Sequence, residues 1–175
     1  MDPGLLVASP QMRDPNFERA VVLLVQHTAQ GALGLVINRA AHVRIGEVVQ
    51  HLDLPGTAEP LQRPALWGGP VERGAGFVVY KGLAPEGWKA GNMAVSPSRE
   101  RLAALVGAGA EFQLCLGYAG WGPGQLDKEV AQGSWVLVEA RADLVFEAPL
   151  ADRYDRALAL LGVPAELLWM TPISE

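Results

Sequence analysis

The sequence predicts an α+β fold, one domain with a mixed, mainly antiparallel β-sheet and flanking helices. Two apolar β-branched runs separated by a short polar turn read as an antiparallel hairpin. The later strand-like runs follow Gly and Pro turns too closely for repeated βαβ units, and the longest amphipathic pattern comes last, after most of the strands. With 175 residues, half of them hydrophobic, such a chain fills a core without disulfides or metals.

Leu5 to Ala8 is a short strand expected to join the hairpin. The hairpin strands are Val21–Val25 and Gly34–Ile37, turned by Thr28-Ala29-Gln30-Gly31. Runs with no polar face are covered on both sides, so these strands belong in the middle of the sheet. Ile45 to Leu52 has the spacing of a short helix ended by Pro55-Gly56, and Leu66-Trp67, Gly76–Lys81 and Asn92–Val95 read as strands. Ser96-Pro97 is an N-cap followed by an N1 proline; Leu102, Leu105 and Val106 give the helix its apolar stripe, and Gly107 or Gly109 stops it. Phe112–Tyr118 returns to strand character, Gln125–Gln132 forms a short helix, and Ser134–Glu139 a buried strand. Leu150, Tyr154, Ala157, Leu158 and Leu161 mark a final amphipathic helix closed by Gly162 and Pro164. No linker or repeat divides the chain, so residues 1–175 are read as one domain.

Composition excludes several classes of function. A single cysteine, Cys115, forms no internal disulfide, and mid-strand between Leu114 and Leu116 it behaves as a small hydrophobe. The three histidines, His27, His42 and His51, have no metal-binding spacing, and Ser9, Ser96 and Ser134 lack a nucleophile elbow. Nineteen acidic residues against fourteen basic ones, the latter dispersed, argue against direct nucleic-acid binding. No apolar run is long enough to cross a bilayer, and no basic leader precedes the first strand, so a cytoplasmic protein is the expectation. Five tryptophans, Trp67, Trp88, Trp121, Trp135 and Trp169, fall in separate segments and suit core or interface positions.

Two segments carry most of the functional signal. Gly117 to Asp127 places a Gly-rich turn between a strand and a helix, which is either an anion cradle or a tight turn plugged by Trp121; Asp127 and Glu129 oppose an anion there. Ser9 to Arg19 is a polar loop between strands, with Arg13 and Asp14 as candidate contacts or Asp14-Pro15 as a plain turn.

Leu5-Leu6-Val7-Ala8-Ser9-Pro10, Asp14-Pro15-Asn16-Phe17, Val25-Gln26-His27, Gly31 to Arg39, Gly68-Gly69-Pro70-Val71, and Gly117 to Asp127 followed by Ser134-Trp135 occur in one fixed order. That order resembles the bacterial YqgE/AlgH family over nearly the whole chain. The resemblance implies a strongly curved, mainly antiparallel sheet with helices around it. Some members are described as candidate transcriptional regulators, and the resemblance brings no established reaction, cofactor or DNA-binding motif. The chain departs from the family in having Val79-Tyr80 where Leu-His is common, Asp127 for the usual Glu, and Thr171-Pro172-Ile173-Ser174-Glu175 in place of a Gly-His-Ala tail.

These readings converge on a non-enzymatic binding or regulatory module without cofactor or metal, whose partner is a small molecule or another protein. Its expected site gathers Arg13, Asp14, Asn38, Arg39, Gly68, Gly69, Pro70, Gly120, Trp121, Gly122, Gln125 and Asp127 at strand ends. The mixture of apolar area, amides and charge suits a small-molecule pocket. The alternative is an enzyme using acid-base chemistry through Asp14, Asp127 or His27, which requires two of them close together around a cleft.

Overall fold

In the computed structural model, which describes residues 4–53 and 62–161, the apolar runs fold as strands. β1 (Leu5–Ala8), β2 (Val21–Thr28) and β3 (Gly31–Val36) are antiparallel neighbours, with Leu23 opposite both Leu5 and Leu35. All of β1, and Val21 to Leu24, are sealed from solvent, as a strand without a polar face requires. Next come β4 (Ala40–Arg44), α1 (Ile45–His51), β5 (Pro64–Trp67), β6 (Val71–Lys81), β7 (Trp88–Ala90), β8 (Met93–Ser96) and α2 (Arg99–Ala108). The chain continues through β9 (Phe112–Trp121), α3 (Gln125–Ala131), β10 (Trp135–Val138), α4 (Ala142–Phe146) and α5 (Arg153–Ala159).

The strands form one sheet in the order β10-β1-β2-β3-β9-β6-β8-β7, with β5 branching off β9 and carrying β4. β9 is the hinge of this arrangement. Its C-terminal half pairs with β3, Ala32 opposite Trp121, while its N-terminal half runs parallel to β5, Leu66 opposite Cys115. β6 lies along its other edge. Among the described residues the β5–β9 pair is parallel and every other pairing is antiparallel.

Two apolar cores follow from the alternation of side chains along β6 and β9. Phe77, Val79 and Cys115 join the larger one with β1, β2, α4 and α5. Val78, Tyr80, Phe112 and Leu114 point the other way, into a smaller core closed by Ile45 and Val49 of α1 and Leu102, Leu105 and Val106 of α2.

Several sequence expectations shift. The N-cap of α2 is Ser98, whose Oγ accepts from the Arg101 N–H at 3.1 Å; Ser96 is instead the fully buried end of β8 and donates to Glu86 at 2.6 Å. The helix stops at Gly109, left-handed at φ 63°, a conformation glycine adopts without strain. Gly117 to Trp121, expected as part of a turn, continues β9. β10 is an edge strand and mostly half-buried, because only β1 flanks it. The final helix is shorter than its pattern, since Leu150–Asp152 forms a 3₁₀ turn. Its Arg153 is buried, donating from Nε to the Ala148 carbonyl (2.9 Å) and from Nη1 to that of Ile37 (2.5 Å). Pro55-Gly56, Gly162, Pro164, Trp169 and the segment 171–175 lie outside the described residues.

Candidate functional site

The polar blocks expected to form a site are placed by the ends of β2, β3 and β9. Asp14 accepts the Asn16 N–H at its side chain (2.9 Å), and its carbonyl accepts from Phe17 and Glu18, a self-contained Asx turn. Arg39 holds this loop. Its Nη1 donates to the carbonyls of Asn16 (2.6 Å) and Pro15 (3.2 Å), its Nη2 to that of Glu18 (2.5 Å), and its guanidinium lies 5.3 Å over the Trp67 ring. Desolvation lowers the Arg39 pKa, opposed by the charges of Glu18 and Asp14. Asn38 spends both ends of its amide on the same junction, accepting from Val21 N–H (2.9 Å) and donating to the Arg19 carbonyl (2.8 Å). Arg13 is exposed and donates to no described residue.

The loop reaches the second group through Phe17, which stacks on Trp121 at 6.2 Å and meets Trp135 edge-on at 5.6 Å. Glu129 is the centre of this group. Its Oε1 accepts from the indoles of Trp121 and Trp135, both at 3.0 Å, and its Oε2 from the Gln125 amide at 2.9 Å. Gln125 in turn takes the Gly122 N–H at 2.9 Å. Thus the Gly122 donor and the side chains of Trp121 and Gln125 are occupied within the protein, while Gly120 is exposed. Gly68 and Gly69, followed by Pro70, pack backbone to backbone against β9. A Cβ on Gly69 would lie 2.1 Å from the Tyr118 carbonyl carbon, and one on Gly117 (φ 78°) 2.4 Å from the Gly69 oxygen. Only glycine permits that approach.

Asp127 approaches His27, with Oδ1 3.3 Å from Nε2. This meets the distance that acid-base chemistry requires, yet the other imidazole nitrogen, Nδ1, is sealed from solvent and has no hydrogen-bond partner. A base whose remaining nitrogen is sealed has no route to a substrate proton in this conformation. Among the described residues no group of His, Cys, Asp and Glu is arranged to hold a metal ion, and burial pushes the Cys115 thiol up to about 12.

A concavity of ligand size lies elsewhere among the described residues. A cleft of about 620 Å³ opens in the smaller core, between α1, α2 and the β6–β9 face. Val48, Leu52, Val78, Leu102, Leu114 and Leu116 supply its apolar wall; Glu47, His51, Arg73, Ser96, Ser98 and Arg99 are its polar lining residues. Arg99 ties the two helices by donating to the Leu52 carbonyl at 3.0 Å. On β6, positions 74, 76 and 78 all line the cleft, and the first two are glycine. A Cβ on Gly74 would meet nothing within 4 Å, and one on Gly76 would touch only the Leu114 and Leu116 side chains at 3.7 and 3.9 Å. Neither has a positive φ, so neither packing nor backbone demands glycine there. What the two missing side chains provide is open volume. A smaller cavity of about 410 Å³, lined by Arg39, Ala40, Ala41, His42, Trp67, Arg73 and Leu116, shares Arg73 and Leu116 with the cleft.

Of the residues expected from sequence, Arg39 lines one of these two cavities and the others line neither. Sequence reasoning missed Glu129 as an indole acceptor, and Glu47, His51, Arg73 and Arg99 as cleft residues. One signal was available: glycines two apart in a strand run leave a gap on one face.

The AlgH-like family model (DUF179) matches residues 5–166. A UPF0301 protein of Bordetella petrii is 41% identical over 171 residues, covering 93% of this chain and 84% of that relative. A UPF0301 protein of Coxiella burnetii is 39% identical over 162 residues, covering 90% and 87%. The solution structure of the AlgH protein from Pseudomonas aeruginosa superposes with a TM-score of 0.78 at 35% identity, over 99% of this chain and 95% of that one. A Corynebacterium diphtheriae crystal structure, at 24% identity and a TM-score of 0.73 over 96% and 91% of the chains, shares the fold. With the family model spanning both cores and every strand of the sheet, this chain belongs to the AlgH-like, UPF0301 family.

Proposed function

We propose that the protein is a binding module, with regulatory consequences for a partner, whose ligand is a small molecule seated in the α1–α2 cleft. The observation that carries this reading is the glycine pair at 74 and 76. The β6–β9 register shifts between Val71 and Gly76, yet at neither glycine is φ positive and at neither would a Cβ meet backbone; the stability that a strand gives up at each glycine therefore opens a cleft of a size that holds a drug-sized ligand. Binding is favoured over proton-transfer chemistry because the His27–Asp127 pair lines neither cavity and its free nitrogen is sealed.

Titration with the uncharged dye N-phenyl-1-naphthylamine tests it. The native protein enhances the dye's fluorescence, and Gly76→Val and Gly74→Leu, which fill the floor, abolish the signal while keeping the native circular dichroism. Equal enhancement in folded Gly76→Val, or none in the native protein, overturns the reading.

A further inference from the structure

We propose that the ligand is an amphipathic anion whose phosphate, sulfonate or carboxylate head occupies the smaller cavity at Arg39, His42 and Arg73 while its apolar body fills the cleft. This rests on the binding reading above and adds the chemistry of the head group. The lining of the smaller cavity holds two guanidinium groups, Arg39 and Arg73, with the His42 imidazole beside them and no carboxylate, in a chain whose net charge is −5. Positive groups concentrated in a concavity of an acidic protein focus the field on an incoming anion.

Arg39 is pre-organised for that role. Three carbonyl acceptors and the Trp67 ring fix its position, which leaves two of the five guanidinium N–H groups uncommitted among the described residues. A guanidinium already held in place loses little freedom when an oxyanion arrives. Arg73 is exposed, its side chain donates to no described residue, and it lines both cavities. It therefore stands where a head group in one chamber joins a body in the other. The carboxylates acting on Arg39, Glu18 and Asp14, belong to the loop it secures and line neither cavity; Glu47 lies on the cleft side, with the apolar body. Both chambers together are too large for a bare anion, and the apolar wall of the cleft offers an anion nothing. A molecule with both parts uses all of it.

Two dyes of similar ring system separate the terms: anilinonaphthalene sulfonate carries the anion and N-phenyl-1-naphthylamine does not. The expected result is a preference of about tenfold or more for the sulfonate, the size of one charge-assisted contact. Arg73→Gln and His42→Gln together bring the affinity ratio close to one, 1 M salt narrows it, and inorganic phosphate competes with the sulfonate dye alone. Equal affinity for the two dyes, or a preference that survives the double variant, overturns the anion assignment and leaves the cleft reading standing. Failure of the uncharged dye to bind overturns both, whatever the sulfonate dye does, because the head-group assignment rests on the cleft.

Discussion

Trp121 donates its indole N–H to Glu129 across 3.0 Å, and the same carboxylate oxygen takes the Trp135 indole from the neighbouring segment. One acidic side chain thereby satisfies two buried donors, one in β9 and one in β10. Removing it leaves both N–H groups without a partner, at about 1–3 kcal/mol each. Glu129→Ala is expected to lower stability by about 2–6 kcal/mol and to alter tryptophan emission, with Glu129→Gln milder because its amide oxygen still accepts. Urea unfolding of the three proteins checks the order.

Gly117 and Gly74 make opposite predictions for the same substitution. At Gly117 a methyl group collides with the Gly69 carbonyl and the backbone is left-handed, so Gly117→Ala costs more than about 1 kcal/mol. At Gly74 a methyl meets open space without strain, so Gly74→Ala gains about 0.4–1 kcal/mol by narrowing the unfolded ensemble. Thermal melts of both variants give the signs directly. Comparing dye affinity of Gly74→Ala with the native protein then shows whether the glycine gives up stability for binding.

Acid stability depends on Glu86. Two 3.0 Å bonds from Arg101 and one of 2.6 Å from Ser96 hold its carboxyl at about 2, against an ordinary 4.5. Because the folded value is the lower one, the stabilisation is fully present above pH 4.5 and drains away as the pH falls towards 2. Glu86→Gln should therefore be less stable at neutral pH and show a flatter loss across that window. Parallel denaturation curves from pH 7 to 2 provide the measurement; identical slopes would sink the assignment.

Cys115 serves as a reporter of opening. It sits with no accessible surface in β9, and its thiol is pushed up to about 12 by burial, with Arg153 opposing. Dithionitrobenzoate at pH 8 should leave the native protein unlabelled and modify it only at the rate of unfolding. Faster labelling would mean that β9 detaches from β5 or β6 on its own.

The sheet was readable because its strongest strands declare themselves: Val21 to Leu24 have no polar residue among them, and such a run fits only a covered position. What escaped detection depends on pairing across the chain. β4 and β7 are short and become strands through β5 and β8 beside them, and no local pattern encodes a partner. Ser96 and Ser98 are equally good caps by residue type; burial at the end of β8 withdraws the first. The candidate site was legible only in fragments. Polar residues at strand ends stood out, yet Asn38, Gln125 and Asp14 satisfy backbone and neighbouring side chains. The cleft was overlooked because its signature is two absent side chains, and the Arg73 side chain beside them makes no hydrogen bond or ion pair with a described residue.

β1 pairs along its whole length with β10, Leu5 opposite Val138 and Ala8 opposite Trp135. During synthesis the first strand leaves the ribosome well before its last neighbour has been translated, an interval on the order of ten seconds at ordinary elongation rates. Throughout that time a fully apolar segment has one of its two edges unmatched. The molecule therefore completes its sheet only after residue 138 has emerged, and a nascent chain arrested before residue 135 would be a stronger client for chaperones than the finished protein.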